Sequence, residues 1–358
     1  KEVRPFKEIE AYLKSAQQKG QQIHYLPTYR AEHQLKLFAW LGVMPGAEQP
    51  SVPFILGVVN QRNYKSAEEI AEIEKACVVT ADMHLAAMRT VRPGIRESEV
   101  AAVVAEAAFK HNYELSFPII ATVNGQTLHN HDHSNLIKPG DMLLLDAGAE
   151  TEMGYAGDMS STMPADKKFT QRQRDVYDIQ VAAHEAAVAA LRPGIKFVDV
   201  YEKSCVVIME GMKSLGFAKG DPMEAVKAGA HAMFMPCGLG HMMGLDVHDM
   251  ENLGEVYVGY NGQPKSTQFG RKSLRLGREL EPGFVLTIEP GIYFIPELID
   301  LWRSEHKFTE FLNYDKLETY KDFSGIRNEE DYLITEDGAR LLGKKIPLHA
   351  EDVEKEHC

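Results

Sequence analysis

The sequence predicts an α+β fold built from two αββ-like halves, and three observations carry that prediction. A helix, an RPG stop and a second helix occur twice, ending the first helix at VRPG (Val91–Gly94) and at LRPG (Leu191–Gly194). A PG turn, an apolar strand and a terminal acid also occur twice, in KPGDMLLLDAG and EPGFVLTIEPG, with Asp146 and Glu289 each seven residues after the turn proline. Two capping boxes, Ser66 with Glu69 and Thr170 with Gln173, mark where the leading helix of each half begins. The alternative is recurrence without duplication, because RPG and PG are ordinary stop and turn signals. Under duplication, Asp146 and Glu289 occupy equivalent places and two carboxylates converge on one pseudo-symmetric centre.

Residues 1–61 read as the end of a smaller amino-terminal α/β domain, and residues 62–358 as the main domain. In the first, PFKEIEAYLKSAQQKG has helical spacing and SVPFILGVV reads as a strand-like apolar run. In the second, Ile70, Ile73 and Cys77 fall on one helical face. ESEVAAVVAEAAFK and FVDVYEKSCVVIMEGMK supply the second helix of each half, and residues 295–323 read as an insertion after the second acidic strand.

Composition narrows the partners. The chain has 358 residues, 44% hydrophobic, enough for one large core or a large and a small domain. A formal net charge of -13, with no basic run longer than KK, argues against nucleic acid and anionic membranes. The four cysteines, Cys77, Cys205, Cys237 and Cys358, form no CxxC, so reduced thiols and a cytoplasmic location are the expectation. No run of about 18 apolar residues predicts a membrane span.

The chemistry gathers at four places. Asp146 and Asp158 flank MGYAG, whose glycines suit a turn, so the two aspartates are expected to face each other across a hairpin. GLGHMMGLDVHD holds His241 and His248, TIEPGIY holds Glu289, and GIRNEEDYLIT holds Arg327 and Glu329. Singly, each has a bland reading as a turn residue, a core histidine or a solvated acidic face. Jointly, each acid borders an apolar strand, where a bare carboxylate costs several kcal/mol, of order 2–7 or more, unless paired. Four carboxylates and one imidazole suit two divalent ions about 3.5 Å apart. An oxygen-rich set favours Mn²⁺ or Mg²⁺, and the imidazole admits Co²⁺, Zn²⁺ or Fe²⁺. No thiolate joins the set, which argues against a structural zinc site.

With these motifs in this order, the chain resembles the pita-bread metallopeptidases over about residues 62–345, and within them the proline-specific branch of Xaa-Pro aminopeptidases and prolidases. The resemblance implies a curved antiparallel sheet with helices outside and two metals on its concave face. It implies that Asp146 chelates one metal, that Asp158 and Glu329 bridge the pair, and that His241 and Glu289 complete the shell. A metal-bridging hydroxide would attack the amino-terminal Xaa-Pro bond, with Glu289 as proton relay. His129 and His248 match the substrate-side histidines, and Arg327 a group that orients the bridging glutamate. A homodimer or tetramer is implied by the resemblance alone. One departure stands out: the branch often reads PHGLGH, and this chain reads PCGLGH, with Cys237 near the substrate but not as a ligand. His131 and His133 in TLHNHDHSN read as a polar loop.

Among functions, an Xaa-Pro aminopeptidase leads, a prolidase acting on dipeptides is the alternative, and a metal-free binding protein on the same fold is a third reading. A Mg²⁺-dependent phosphohydrolase would need a phosphate cradle or basic clamp, and neither is visible.

Overall fold

The computed structural model describes residues 3–357, so Cys358 lies outside the described residues. The chain divides into two compact units, Lys1–Arg62 with Met250–Gln263, and Asn63–Asp249 with Pro264–Cys358.

The first unit contains α1 (Ile9–Gln18) and α2 (Ala31–Leu41), with α3 (Val52–Asn63) starting within it. SVPFILGVV is therefore helix, not strand. The backbone N–H of Ile55 bonds the Ser51 carbonyl at 2.9 Å and the Phe54 N–H reaches Ser51 Oγ at 3.4 Å, so Ser51 starts the helix. Ile55 and Val59, four apart, are the buried pair, a helical period that an alternating strand does not produce. No strand forms among the described residues of 1–62, so the expected α/β remnant is helical.

The second unit carries the duplication. Helix α4 (Ala67–Thr90) starts at a complete Ser66–Glu69 capping box and is followed by α5 (Glu97–Phe109). A short strand β1 (Glu114–Leu115) leads to β2 (Ile120–Thr122), β3 (Met142–Ala147), β4 (Ala149–Glu150) and β5 (Met159–Pro164). The second half repeats this order. Helix α6 (Gln171–Val188) starts at a complete Thr170–Gln173 capping box, and α7 (Phe197–Ser214) follows. Then come β6 (Val285–Ile288), β7 (Gly291–Tyr293), β8 (Gly325–Arg327), β9 (Glu330–Ile334) and β10 (Ala339–Leu341). The expected insertion lies between β7 and β8 and contains helices Pro296–Ser304 and Tyr314–Glu318.

All sheet pairings are antiparallel. β3 lies between β2 and β5, and β9 between β10 and β6. The two sheets meet where Ser160 bridges Glu329, whose N–H donates to the Ser160 carbonyl at 2.9 Å. β3, β5, β6 and β9 are buried along their whole length. Apart from Asp146 on β3 and Glu330 and Asp331 on β9, their residues are apolar, aromatic or small, and the burial makes those carboxylates costly. Cys77, Cys205 and Cys237 are free thiols. Among the described residues, no helix is long and apolar enough to cross a membrane.

Candidate metal centre

Each half contributes two acids from a pair of antiparallel strands. In the first, Asp146, the last residue but one of β3, pairs with Ser160, while Asp158 precedes β5 by one residue. Asp158 is thus two residues beyond the partner of Asp146, on the same sheet face. The aspartates are diagonal neighbours, not directly opposed as the turn glycines suggested. The connection is tight, because a Cβ on Gly148 would fall 1.9 Å from the Gly157 carbonyl oxygen. In the second half, Ile288 pairs with Glu330, so Glu289 just after β6 stands directly opposite Glu329 just before β9, where the first half has a diagonal pair.

The histidine segment is laid beside β6. Thr287 N–H donates to the His241 carbonyl at 3.0 Å and Glu289 N–H to the Leu239 carbonyl at 2.8 Å. Gly240 permits that approach, since its Cβ would meet the Thr287 carbonyl oxygen at 2.0 Å. The ladder sets the His241 ring beside Asp158 and Glu289, with Nε2 3.3 Å from Asp158 Oδ2 and 3.7 Å from Glu289 Oε1. His241 Nδ1 lies 3.0 Å from the Met242 carbonyl, which can only accept, so Nδ1 carries the proton. In the neutral ring Nε2 then presents a lone pair to two carboxylates, an arrangement a cation resolves.

Arg327 answers for one of the acids. It donates from Nη2 to Asp146 Oδ2, from Nε to Ser160 Oγ at 2.8 Å and from Nη1 to Tyr293 Oη at 2.9 Å. Ser160 Oγ passes the link on, donating to Glu329 Oε2 at 2.7 Å. Behind Asp158, Asp331 Oδ2 accepts from the Asp158 N–H and from the Cys77 thiol, both at 3.1 Å.

What remains unanswered is negative charge. Asp158 Oδ1 and Glu329 Oε1 are buried without a hydrogen-bond partner. Burial, and then the neighbouring carboxylates, hold both groups well above the ordinary carboxylate range. Ligand atoms of Asp158, His241 and Glu329 lie within 4.8 Å of one another. Orphaned buried oxygens, an imidazole lone pair and several mutually repelling carboxylates together fit divalent cations.

This centre forms one wall of a cavity of about 220 Å³. His129, Asp146, Asp158, His241, His248, Glu289, Arg327 and Glu329 all line it, so the structure brings together every site residue expected from the sequence. His129 adopts a left-handed φ of 55°, and the His248 ring packs edge-on to His241 at 4.3 Å between centroids. Cys237 lines the same cavity against Ile120 and Tyr293, with its thiol pushed up to about 11 by burial and Glu289, hence neutral. His131 joins the lining, while His133 bonds the Ile119 carbonyl at 3.0 Å. Sequence reasoning missed Ser160, Tyr293, Asp331 and Arg275. Only Asp331 carried a signal, since it lies two residues from Glu329 on a strand and so shares its face.

Residues 71–336 match the sequence profile of metallopeptidase family M24. The chain belongs to metallopeptidase family M24. Among M24 relatives it is 34% identical to the Xaa-Pro aminopeptidase of Escherichia coli K12 over 302 residues, covering 83% of this chain and 60% of that protein. It is 31% identical to the Xaa-Pro dipeptidase of Homo sapiens over 305 residues, with the same coverage of each. The chain thus spans about 60% of the length of these curated relatives. Zn-substituted Escherichia coli aminopeptidase P in complex with product superposes with a TM-score of 0.79 at 30% identity, covering 99% of this chain and 75% of that one. Proline aminopeptidase P II from Yersinia pestis gives 0.77 at 30%, covering 99% and 76%. The M24 chain has the pita-bread fold of these aminopeptidases.

Proposed function

We propose that this chain hydrolyses the amino-terminal Xaa-Pro bond of peptides with the help of two divalent cations, Mn²⁺ foremost. The observation that carries the reading is His241 Nε2 set 3.3 Å from Asp158 and 3.7 Å from Glu289, beside the orphaned oxygens of Asp158 and Glu329. Asp146, Asp158 and Glu329 would hold one ion, and Asp158, His241, Glu289 and Glu329 the other. When bound, the cations supply Lewis acidity that activates water and polarises the scissile carbonyl.

The chain's own residues do the rest. Glu289 reaches solvent at the cavity, its side chain 20% accessible, so it can take a proton there and deliver it to the departing proline nitrogen. His248 and His129 stand on the cavity wall where they can hydrogen-bond the substrate carbonyl as charge develops. Arg327 fixes Asp146 and, through Ser160, Glu329.

A second reading, cleavage restricted to Xaa-Pro dipeptides, draws on Arg275, a guanidinium on the wall of a small cavity where a dipeptide's carboxylate would lie. The test is release of alanine from Ala-Pro and from Ala-Pro-Ala by metal-stripped protein, with and without Mn²⁺. Mn²⁺-dependent cleavage of the tripeptide supports the aminopeptidase. Cleavage of the dipeptide alone makes it a prolidase. Absence of bound metal at saturating Mn²⁺ refutes both.

A further inference from the structure

Gln180 has no part in the chemistry above, and it is fully buried on α6 behind the sheet. Its Nε2 donates to the Pro290 carbonyl at 2.6 Å and to the Asn328 carbonyl at 3.4 Å. Its Oε1 accepts from Asn328 Nδ2. Pro290 directly follows Glu289, and Asn328 directly precedes Glu329. Asn328 Oδ1 in turn accepts the Thr162 N–H at 3.1 Å, on the strand that begins beside Asp158. One amide side chain thus joins the backbone at two candidate ligands, and through Asn328 it reaches the strand that follows a third.

A helix carrying an ordinary apolar residue at this position would leave the Pro290 carbonyl and the Asn328 amide buried with fewer partners. A buried polar network that is fully satisfied fixes one geometry, and one that is half satisfied is costly. The network lies where Glu289 and Glu329 leave the sheet, so it controls their separation. Glu289 and His241 belong to only one of the two proposed ion positions. Asp146 takes its hydrogen bond from the Arg327 guanidinium and not from this amide network.

We infer that Gln180 is a positioning residue that sets the Glu289–Glu329 separation and so tunes the ion held with His241 more strongly than the ion held with Asp146. The inference rests on the two-cation reading proposed above. Residues that orient metal ligands typically contribute about 10- to 100-fold in metal affinity.

The experiment is calorimetric titration of metal-stripped protein with Mn²⁺, for wild type, Gln180→Met and Asn328→Ala, alongside thermal melting of each metal-free form. Gln180→Met keeps the volume and removes the amide; Asn328→Ala breaks the same link from the other side and covers the case in which Gln180→Met does not fold. The expected result is two ions per wild-type chain. In the variants one binding step should weaken about 10- to 100-fold and the other by less than about threefold. Equal weakening of both steps, or two unchanged steps in folded variants, overturns the inference while leaving the two-cation reading standing. Fewer than two ions on wild type overturns that reading and the inference with it.

Discussion

At the scale of single residues, the centre is defined by what each charge touches. Arg327 serves Asp146, Ser160 and Tyr293 at once, a use of the planar guanidinium fork that an ammonium cannot reproduce. Arg327→Lys should therefore lower Mn²⁺ affinity by about 10- to 100-fold while leaving the secondary structure intact, as read by calorimetry and circular dichroism. His241→Ala removes the imidazole whose Nε2 lies between Asp158 and Glu289. It should reduce bound Mn²⁺ from two ions to one or none by elemental analysis, and abolish release of alanine from Ala-Pro-Ala.

At the scale of elements, segments are locked by buried pairs. Lys65 Nζ donates to Asp249 Oδ2 at 2.9 Å, with both side chains almost inaccessible, and Asp249 directly follows His248. A double-mutant cycle with Lys65→Met and Asp249→Leu, followed by urea unfolding, should show clear coupling. The exposed Lys355–Asp352 pair on the last helix should show none within error. Element placement was legible where the signal is local. Capping boxes, RPG stops and acid-terminated apolar runs all depend on residues a few positions apart, and both halves formed as read. SVPFILGVV failed because a short apolar run fits either period, and the deciding contact was the Ser51 cap. Gln180, Ser160 and Arg275 were invisible for another reason. Gln180 finds Pro290 110 residues away and Ser160 finds Glu329 169 away, and neither residue type announces a role without its partner.

At the scale of the whole molecule, protonation and folding are linked through groups on both sides of neutrality. His84 is neutral and buried, bonded to Ser161 Oγ at 2.7 Å and the Ala147 carbonyl at 3.2 Å, and burial lowers it and His184 from 6.5 to about 4. The unfolded chain binds protons at these histidines first, so stability falls as pH drops from about 6.5 towards 4. Asp331 is raised from 3.8 to about 7 by burial, and Asp158 and Glu329 are raised in the same direction. Folded metal-free protein holds protons at these acids that the unfolded chain has lost, so stability also falls as pH rises from about 4 through 7. Over about pH 4 to 6.5 the two trends oppose each other, and the three acids outweigh the two histidines, so metal-free protein should lose stability as pH rises towards 7. Adding Mn²⁺ displaces the protons from the ligand acids, so it should raise the melting temperature most at pH 7–8 and move the optimum upward. Melting curves across pH, with and without Mn²⁺, check this.

The matching positions of Asp146 and Glu289, each seven residues after its turn proline, have a consequence for lineage. Each half holds one pair of acids where two antiparallel strands part, and the two sheets are joined where Ser160 meets Glu329. A half-length progenitor could have gathered four carboxylates only by pairing with a copy of itself. Under such a fusion the copies would be free to diverge, and the halves differ accordingly: the first carries two aspartates, the second two glutamates and, in the GLGH segment, an imidazole with no counterpart among the first half's candidate ligands.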